Sequence, residues 1–405
     1  MKFLRTASTR RLLASLAGAL VVVAAGTAIA VAASGSGPVP AKTSLAKAAR
    51  RALAAGQVSG ISARISFTNH LISSTDVQGS DPILTGASGR LWLSSAHRLR
   101  LELQSDNGDA QIVLNGRSFW ISEPTSNTVY EGTLPPQAAS KQKSAPANDA
   151  IPSVARIQSE LNRLMGHVNL SGAIPGDIAG RPAYTVSVSP KHDGGLLGSA
   201  KLAWDAIRGV PLRFAIYARG SSTPVIELKA TQISYGPVKA STFSVSPPAG
   251  AKVVKISMPT GKARAADAAH SARKHRRAAH VSGIAAVSKK LPFALDAPKS
   301  LVGLPRRGVS LLEMSGHPAA LVTYGQNLGG IAVIEQAADP SASAAPKTSA
   351  DHRGLSLPTV SINGRTGQEL DTALGTLVRF TRGKVAFIVV GSVPAVAAEH
   401  AARGL

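Results

Sequence analysis

Three histidines, His270, His275 and His280, recur at intervals of five residues. Five residues turn a helix by about 140°, so the imidazoles would not share a face and a metal site there is not expected. Asp106 and Asp109 flank Asn107-Gly108. Two such carboxylates can meet a calcium ion, but the same composition is what a turn between strands requires. Ser, His and Asp occur along the chain without grouping. There is no G-x-S-x-G elbow, no H-E-x-x-H, no phosphate loop and no G-x-G-x-x-G. Cysteine is absent, which removes disulfides, thiol nucleophiles, thiolate metal sites and a lipidated cysteine. The expectation is a protein that is not an enzyme and holds no metal or cofactor.

What repeats with a purpose is apolar. Ile65 and Phe67, Leu91 and Leu93, Leu101 and Leu103, Leu114, Phe119, then Leu212, Phe214, Ile216 and Leu228 fall at alternate positions on successive segments. One register puts them on a common concave face. A cavity lined by Leu, Ile and Phe can stay dry and take an alkyl chain, and each buried CH₂ is worth about 0.8 kcal/mol. The same alternation would equally pack a closed core without a cavity. Trp92 and Trp120 stand out of phase with these neighbours, which suits packing on the outer face or the rim of a cavity mouth.

Charge points to a second chemistry. The chain has 45 Lys and Arg against 22 Asp and Glu, formally +23, a balance that favours anionic partners. The excess is concentrated in an Ala-rich stretch, 257–290, where Lys262, Arg264, Arg273, Lys274, Arg276, Arg277, Lys289 and Lys290 oppose Asp267. Such a stretch reads as a disordered linker. Arg273, Lys274, Arg276 and Arg277 in particular are suited to an anionic membrane surface or wall polymer, at about 1 kcal/mol per basic residue near a membrane. No aromatic residue interleaves with this charge, so nucleic acid is not an expected partner.

The elements that must position these residues are legible in outline. A length of 405 residues exceeds one ordinary core and implies two domains. Lys2, Arg5, Arg10 and Arg11 precede an apolar run from Leu12 to Ala33, 22 residues long. That is a signal peptide, with Ala28-Ile29-Ala30 as a cleavage site, or an uncleaved membrane anchor. Either places the remainder outside the cytoplasm, in the cell envelope. Ser34 to Ala41 is a spacer. A helix capped by Thr43 or Ser44 carries Leu45, Ala48, Ala49, Ala52 and Leu53 on one face and stops at Gly56. Period-two alternation then predicts about ten strands and two helices between residues 43 and 256. These include Ala183–Val188, Lys201–Asp205, Leu212–Arg219, Val225–Ile233 and Phe243–Val245, with a type I′ hairpin at Asn115-Gly116. Pro135 to Pro152 reads as a mobile loop. The second helix presents Val154, Ile157, Leu161, Leu164 and Met165 as a possible lid. Residues 291–405 form a small α+β module with a polar insert from Ala338 to Gly354 and a terminal helix from Ala395 to Arg403.

Three stretches carry a family resemblance. Gly89-Arg90-Leu91-Trp92-Leu93 is similar to the G-x-L-W-V strand of the LolA lipoprotein-carrier family. Ile112-Val113-Leu114-Asn115-Gly116-Arg117-Ser118-Phe119-Trp120-Ile121 resembles its next hairpin, and Phe243-Ser244-Val245-Ser246-Pro247-Pro248-Ala249-Gly250-Ala251 resembles its closing segment. The resemblance brackets residues 43–256 and extends to the related RseB and LprG proteins. It implies a mainly β, α+β fold: an incomplete antiparallel barrel closed by helices around an apolar cavity for the acyl chains of lipids or lipoproteins. An RseB-type sensor, binding a membrane regulatory protein, is the alternative it implies. The family's gating arginine has no counterpart, since Ser94-Ser95-Ala96 occupies that stretch and Arg98 and Arg100 lie just beyond.

Overall fold

The computed structural model describes residues 39–72, 86–95, 97–105, 108–123, 127–134, 152–256, 281–314, 316–338 and 357–405. The N-terminal apolar run, Asp106, most of the Pro135–Pro152 loop, the three histidines, the four basic residues Arg273, Lys274, Arg276 and Arg277, and most of the polar insert lie outside them. Among the described residues no helix is long and apolar enough to cross a membrane.

Helix α1 (Leu45–Ala54) starts where the Ser44 hydroxyl accepts from the Lys47 amide, 3.3 Å. It ends at Ala55, in extended conformation, one residue before the expected glycine. The chain then enters six antiparallel strands: β1 (Gly60–Asn69), β2 (Ala87–Ser94), β3 (Arg98–Ser105), β4 (Gly108–Asn115), β5 (Ser118–Glu123) and β6 (Thr128–Thr133). Helix α2 (Val154–Leu164), capped by Ser153, leads to β7 (Val168–Leu170), β8 (Ile174–Ile178), β9 (Arg181–Pro190), β10 (Leu197–Asp205), β11 (Pro211–Ala218) and β12 (Pro224–Tyr235). β12 pairs with β1, and β13 (Lys252–Ile256) adds parallel to β6. The order is β13-β6-β5-β4-β3-β2-β1-β12-β11-β10-β9-β7, with β8 also on β9. Among the described residues the two ends do not pair, so the sheet they form is an open one and not a closed barrel. Its apolar face gathers residues from β1 through β6 and from β12 into one core, as a sheet curled on itself must. This is the mainly β, helix-backed architecture that the resemblance implies.

Among the described residues the second sheet has eight strands: β14 (Ser300–Leu301), β15 (Leu304–Met314), β16 (His317–Tyr324), β17 (Ile331–Ala337), β18 (Thr359–Ile362), β19 (Arg365–Thr372), β20 (Gly375–Arg382) and β21 (Val385–Gly391). One face is covered by α3 (Ile284–Ser288) and α4 (Ala395–Arg403). Ala398, Ala401 and Ala402 of α4 are fully buried; their small side chains let the helix lie close to the strands.

Several expectations are corrected. The described residues form thirteen strands in the first sheet, not about ten. Phe243–Val245 is not a strand: Phe243 closes a 3-10 turn, Ala240–Phe243, and is buried by packing rather than by pairing. Asn115-Gly116 does not form a type I′ turn, because only Gly116 has positive φ, +63°. The loop is Gly116-Arg117 between the paired Asn115 and Ser118, which fits type II′. At Asn363-Gly364 both residues are left-handed, at 49° and 76°, and the I′ geometry is made there. Of the expected linker 257–290, residues 257–280 lie outside the described residues; in the remainder Val287 is fully buried in the second core, and Ser282 bridges Ser310. Residues 281–290 therefore belong to the second module.

The two modules touch where β9 meets β10. The Leu196 amide donates to the backbone oxygen (3.0 Å) and hydroxyl (2.9 Å) of Ser392, and the Ala373 amide donates to the Leu71 carbonyl (3.0 Å). Gly195 is left-handed, and a Cβ there would lie 2.2 Å from the Ser392 carbonyl oxygen. Only glycine permits this approach.

Candidate functional site: the concave face of the first domain

Cross-strand register tests whether the expected apolar residues share a face. Phe67 stands opposite Leu228, which stands opposite Phe214. Ile216 faces Ile226. On the other side, Leu91 faces Leu101, Leu93 faces Leu99, and Leu103 faces Ala110. Leu114 faces Phe119, and Ile65 faces Gly89 and Ala230. Directly opposed residues point to the same side of a sheet, so these positions line one face.

That face has two halves. Over β1 to β5 it is filled by its own side chains: Ile65, Leu101 and Leu103 are buried, Leu91, Leu93, Leu114 and Phe119 partly so, and Val58 and Val210 complete the cluster. Over β10 and β11 it opens. Leu212 is buried, but Phe214 is 44% exposed. Beside it stands Leu202, 40% exposed and directly opposite Phe214 in register. With Val186 on β9 the row runs Val186–Leu202–Phe214–Leu228–Phe67 across five strands. Leu202 and Val186 are absent from the residues picked out by sequence. The signal was there, since Leu202 and Trp204 alternate with Lys201 and Ala203, but neighbouring Ala and Lys dilute it.

The helices close only one end of this half. Ala48, Leu45 and Ala52 of α1 pack on Tyr184, Val186 and Trp204, and Tyr184 donates to the Ala41 carbonyl, 2.6 Å. α2 packs against α1, yet none of its own residues is buried and Leu164 is 46% exposed. Of its apolar stripe Leu164 is exposed, and Val154, Ile157, Leu161 and Met165 are half-buried. The second module is fastened at Leu196, just before β10, and at Leu71, just after β1.

The outer face is different chemistry. Trp120 is buried against Val113, Val129, Val245 and Ala251, and its indole N–H donates to the Val245 carbonyl, 3.0 Å. The segment after Phe243 thus straps the outside of the sheet, and Trp120 is a packing residue. Arg100 lies on this side as well, over the Trp92 ring at 5.4 Å, paired with Glu102 and donating to the Thr242 carbonyl, 3.0 Å. It does not reach the concave face.

Buried polar groups serve the frame. Tyr235 donates to Asp205 Oδ2 (2.8 Å), while Asp205 Oδ1 accepts the Ile207 and Arg208 amides, 2.8 Å each. Burial, then the Asp205 charge, pushes the Tyr235 hydroxyl well above the ordinary phenol range. In the second module Glu335 is fully buried and accepts the Asp296 amide, 2.9 Å. Burial raises its carboxyl to about 7. Among the described residues no group of three His, Asp or Glu converges to hold a metal ion; Asp109 is exposed on β4.

No protein-family model and no curated protein matches this chain. Solved structures do. MucB, crystallised in complex with MucA(peri), is 15% identical over 88% of this chain and 94% of its own, with a TM-score of 0.37. The Pseudomonas aeruginosa MucA/MucB complex gives 16% identity over the same shares and the same score. A LolA-superfamily protein from Nitrosomonas europaea is 10% identical over 50% of this chain and 98% of its own, TM-score 0.19. The likeness is one of fold.

Proposed function

We propose that this is an exported envelope protein whose first domain accepts the acyl chain of a lipid or lipoprotein along its concave face, as a carrier and not an enzyme. The observation that carries the reading is the row through Leu202, Phe214, Leu228 and Phe67, apolar and in register, with its two most exposed members side by side. An alkyl chain laid along it would remove that surface from water at about 25 cal/mol per Å² without a specific polar contact. The remaining sequence candidates, Ile65, Leu91, Leu93, Leu101, Leu103, Leu114, Phe119, Leu212 and Ile216, would form the floor and walls. The stripe of α2 would serve as a lid. Export rests on the positive N-terminus and apolar run, which would also serve as an anchor if uncleaved. Arg273, Lys274, Arg276 and Arg277 would hold the domain near an acidic membrane surface. Mass spectrometry of lipids extracted from natively purified protein tests this: a stoichiometric acyl lipid is expected, and lipid-free protein that also ignores added lipid contradicts it.

One observation favours a second reading. The half of the face over β1 to β5 is already packed by its own side chains, and the second module is fastened beside the open half. An RseB-type sensor, whose apolar row receives part of a membrane regulatory protein, needs only that open half. Co-purification of a membrane protein lost in Phe214→Arg, with no lipid in the extract, would favour it.

A further inference from the structure

We infer that the outer face of the first domain carries a second binding site, for an anionic sugar: a ring bearing carboxylate, phosphate or sulfate, held by Arg64 and Arg90 beside Trp92. The proposal is independent of the concave-face reading, because these side chains point to the opposite side of the sheet.

Arg64 on β1 stands directly opposite Arg90 on β2. Like charges so placed repel, and both side chains are exposed. Three other cations on this face do have partners. Arg100 is paired with Glu102, Arg213 with Glu227, and Lys201 lies 4.5 Å over the Tyr217 ring. Glu102 is the carboxylate opposite Arg90, and Arg100 has taken it. Among the described residues Arg64 and Arg90 have no acidic partner, so the sheet holds two forked donors together without a counter-charge.

A cleft surrounds them. Its volume is about 350 Å³, and it is bounded by Ser62, Arg64, Arg90, Trp92, Gln232 and Ser234. That volume is at the small end for organic ligands and suits one or two rings, not a lipid tail. The chemistry of the wall matches a charged sugar in three ways. Two guanidinium groups offer bidentate donors to a carboxylate or phosphate. The half-buried Trp92, which carries Arg100 over its ring, would offer the rest of its apolar surface to a sugar ring. Ser62, Ser234 and Gln232 supply both donors and acceptors for hydroxyls.

The test is isothermal titration calorimetry of the full chain with trigalacturonate, maltotriose and inorganic phosphate. The expected result is binding of trigalacturonate, weakened by salt, with no binding of maltotriose. Arg64→Gln and Arg90→Gln should each weaken it about tenfold, the loss for one charged hydrogen-bonding partner. Both positions are exposed, so the fold should survive, which circular dichroism checks. Trp92→Leu should weaken trigalacturonate while leaving any phosphate affinity unchanged. The proposal is overturned if wild-type protein ignores trigalacturonate, or if both arginine variants bind as wild type. It is also overturned if phosphate binds as tightly as the sugar, or if vesicles of phosphatidylglycerol bind through these arginines while trigalacturonate does not.

Discussion

The two sheets use the same alternation and end differently. In the second module the inward face is sealed: Val322, Val333, Val378 and Val389 are fully buried under α4 and the 281–301 segment. In the first domain the corresponding row carries Phe214 and Leu202, 44% and 40% exposed, in its interior. The difference is the cover. α4 brings three fully buried alanines to its sheet, whereas α2 buries none of its residues. A face that is completed by its own chain is structural, while one left apolar and uncovered has capacity for something else.

Core truncations should break the comparison most visibly. Phe387 is buried and stacked on Phe380 at 5.0 Å, so Phe387→Ala should cost about 3–5 kcal/mol. Leu101→Ala, in the filled half of the first domain, should cost about 2–5 kcal/mol. Phe214→Ala should cost less than about 1 kcal/mol, since much of its surface already meets water. Denaturant unfolding of the three variants measures this. A Phe214→Ala loss equal to that of Leu101→Ala would mean the row is ordinary core.

A smaller effect separates the modules by pH. The Glu335 carboxyl is raised to about 7 by burial, against an ordinary 4.5. The folded second module therefore binds a proton that the unfolded chain releases. Its contribution to stability is full below about 4.5 and falls as pH rises, being lost above about 7. Desolvation dominates; the Arg382 charge works the other way and lowers the value. Urea midpoints of wild type and Glu335→Gln between pH 4.5 and 7.5 should diverge in that direction, and parallel profiles would rule it out. No such slope is expected from the concave face, which has no acid in its row.

How much of this was legible in sequence follows from the physics of each element. β1 and β3 alternate cleanly because one face is buried and the other wet. β15 and β19 lack a clean alternation, because LPRRGVSLLEM and RTGQELDT mix polar residues, Gly and Pro into strands held by their neighbours. Asn115-Gly116 and Asn363-Gly364 share a dipeptide but not a turn, since register decides which residues occupy the bend. All twelve apolar candidates fall on one side of the sheet, as alternation allows. Which of them stay exposed was not legible, because exposure depends on what covers a strand and not on the strand itself.

The smallest expected effect concerns an ion pair of the first domain, next to the contact with the second module. Arg219 and Asp193 are paired at 3.0 Å with 59% and 57% of their side chains exposed. Arg219→Ala should change stability by less than about 1 kcal/mol. Asp193, held below the usual carboxylate range by the Gly195 amide and then by Arg219, should rise in pKa in that variant, read by NMR titration.

The central claim is that the uncovered row of the first domain is a binding surface for an alkyl chain. Titration of a fluorescent fatty acid into wild type and Phe214→Arg, both verified as folded by circular dichroism, tests it most directly. The account expects saturable uptake by wild type and its loss in Phe214→Arg, where a bare charge would have to be buried beneath the chain. No uptake by folded wild-type protein, or equal uptake by the two, would contradict it.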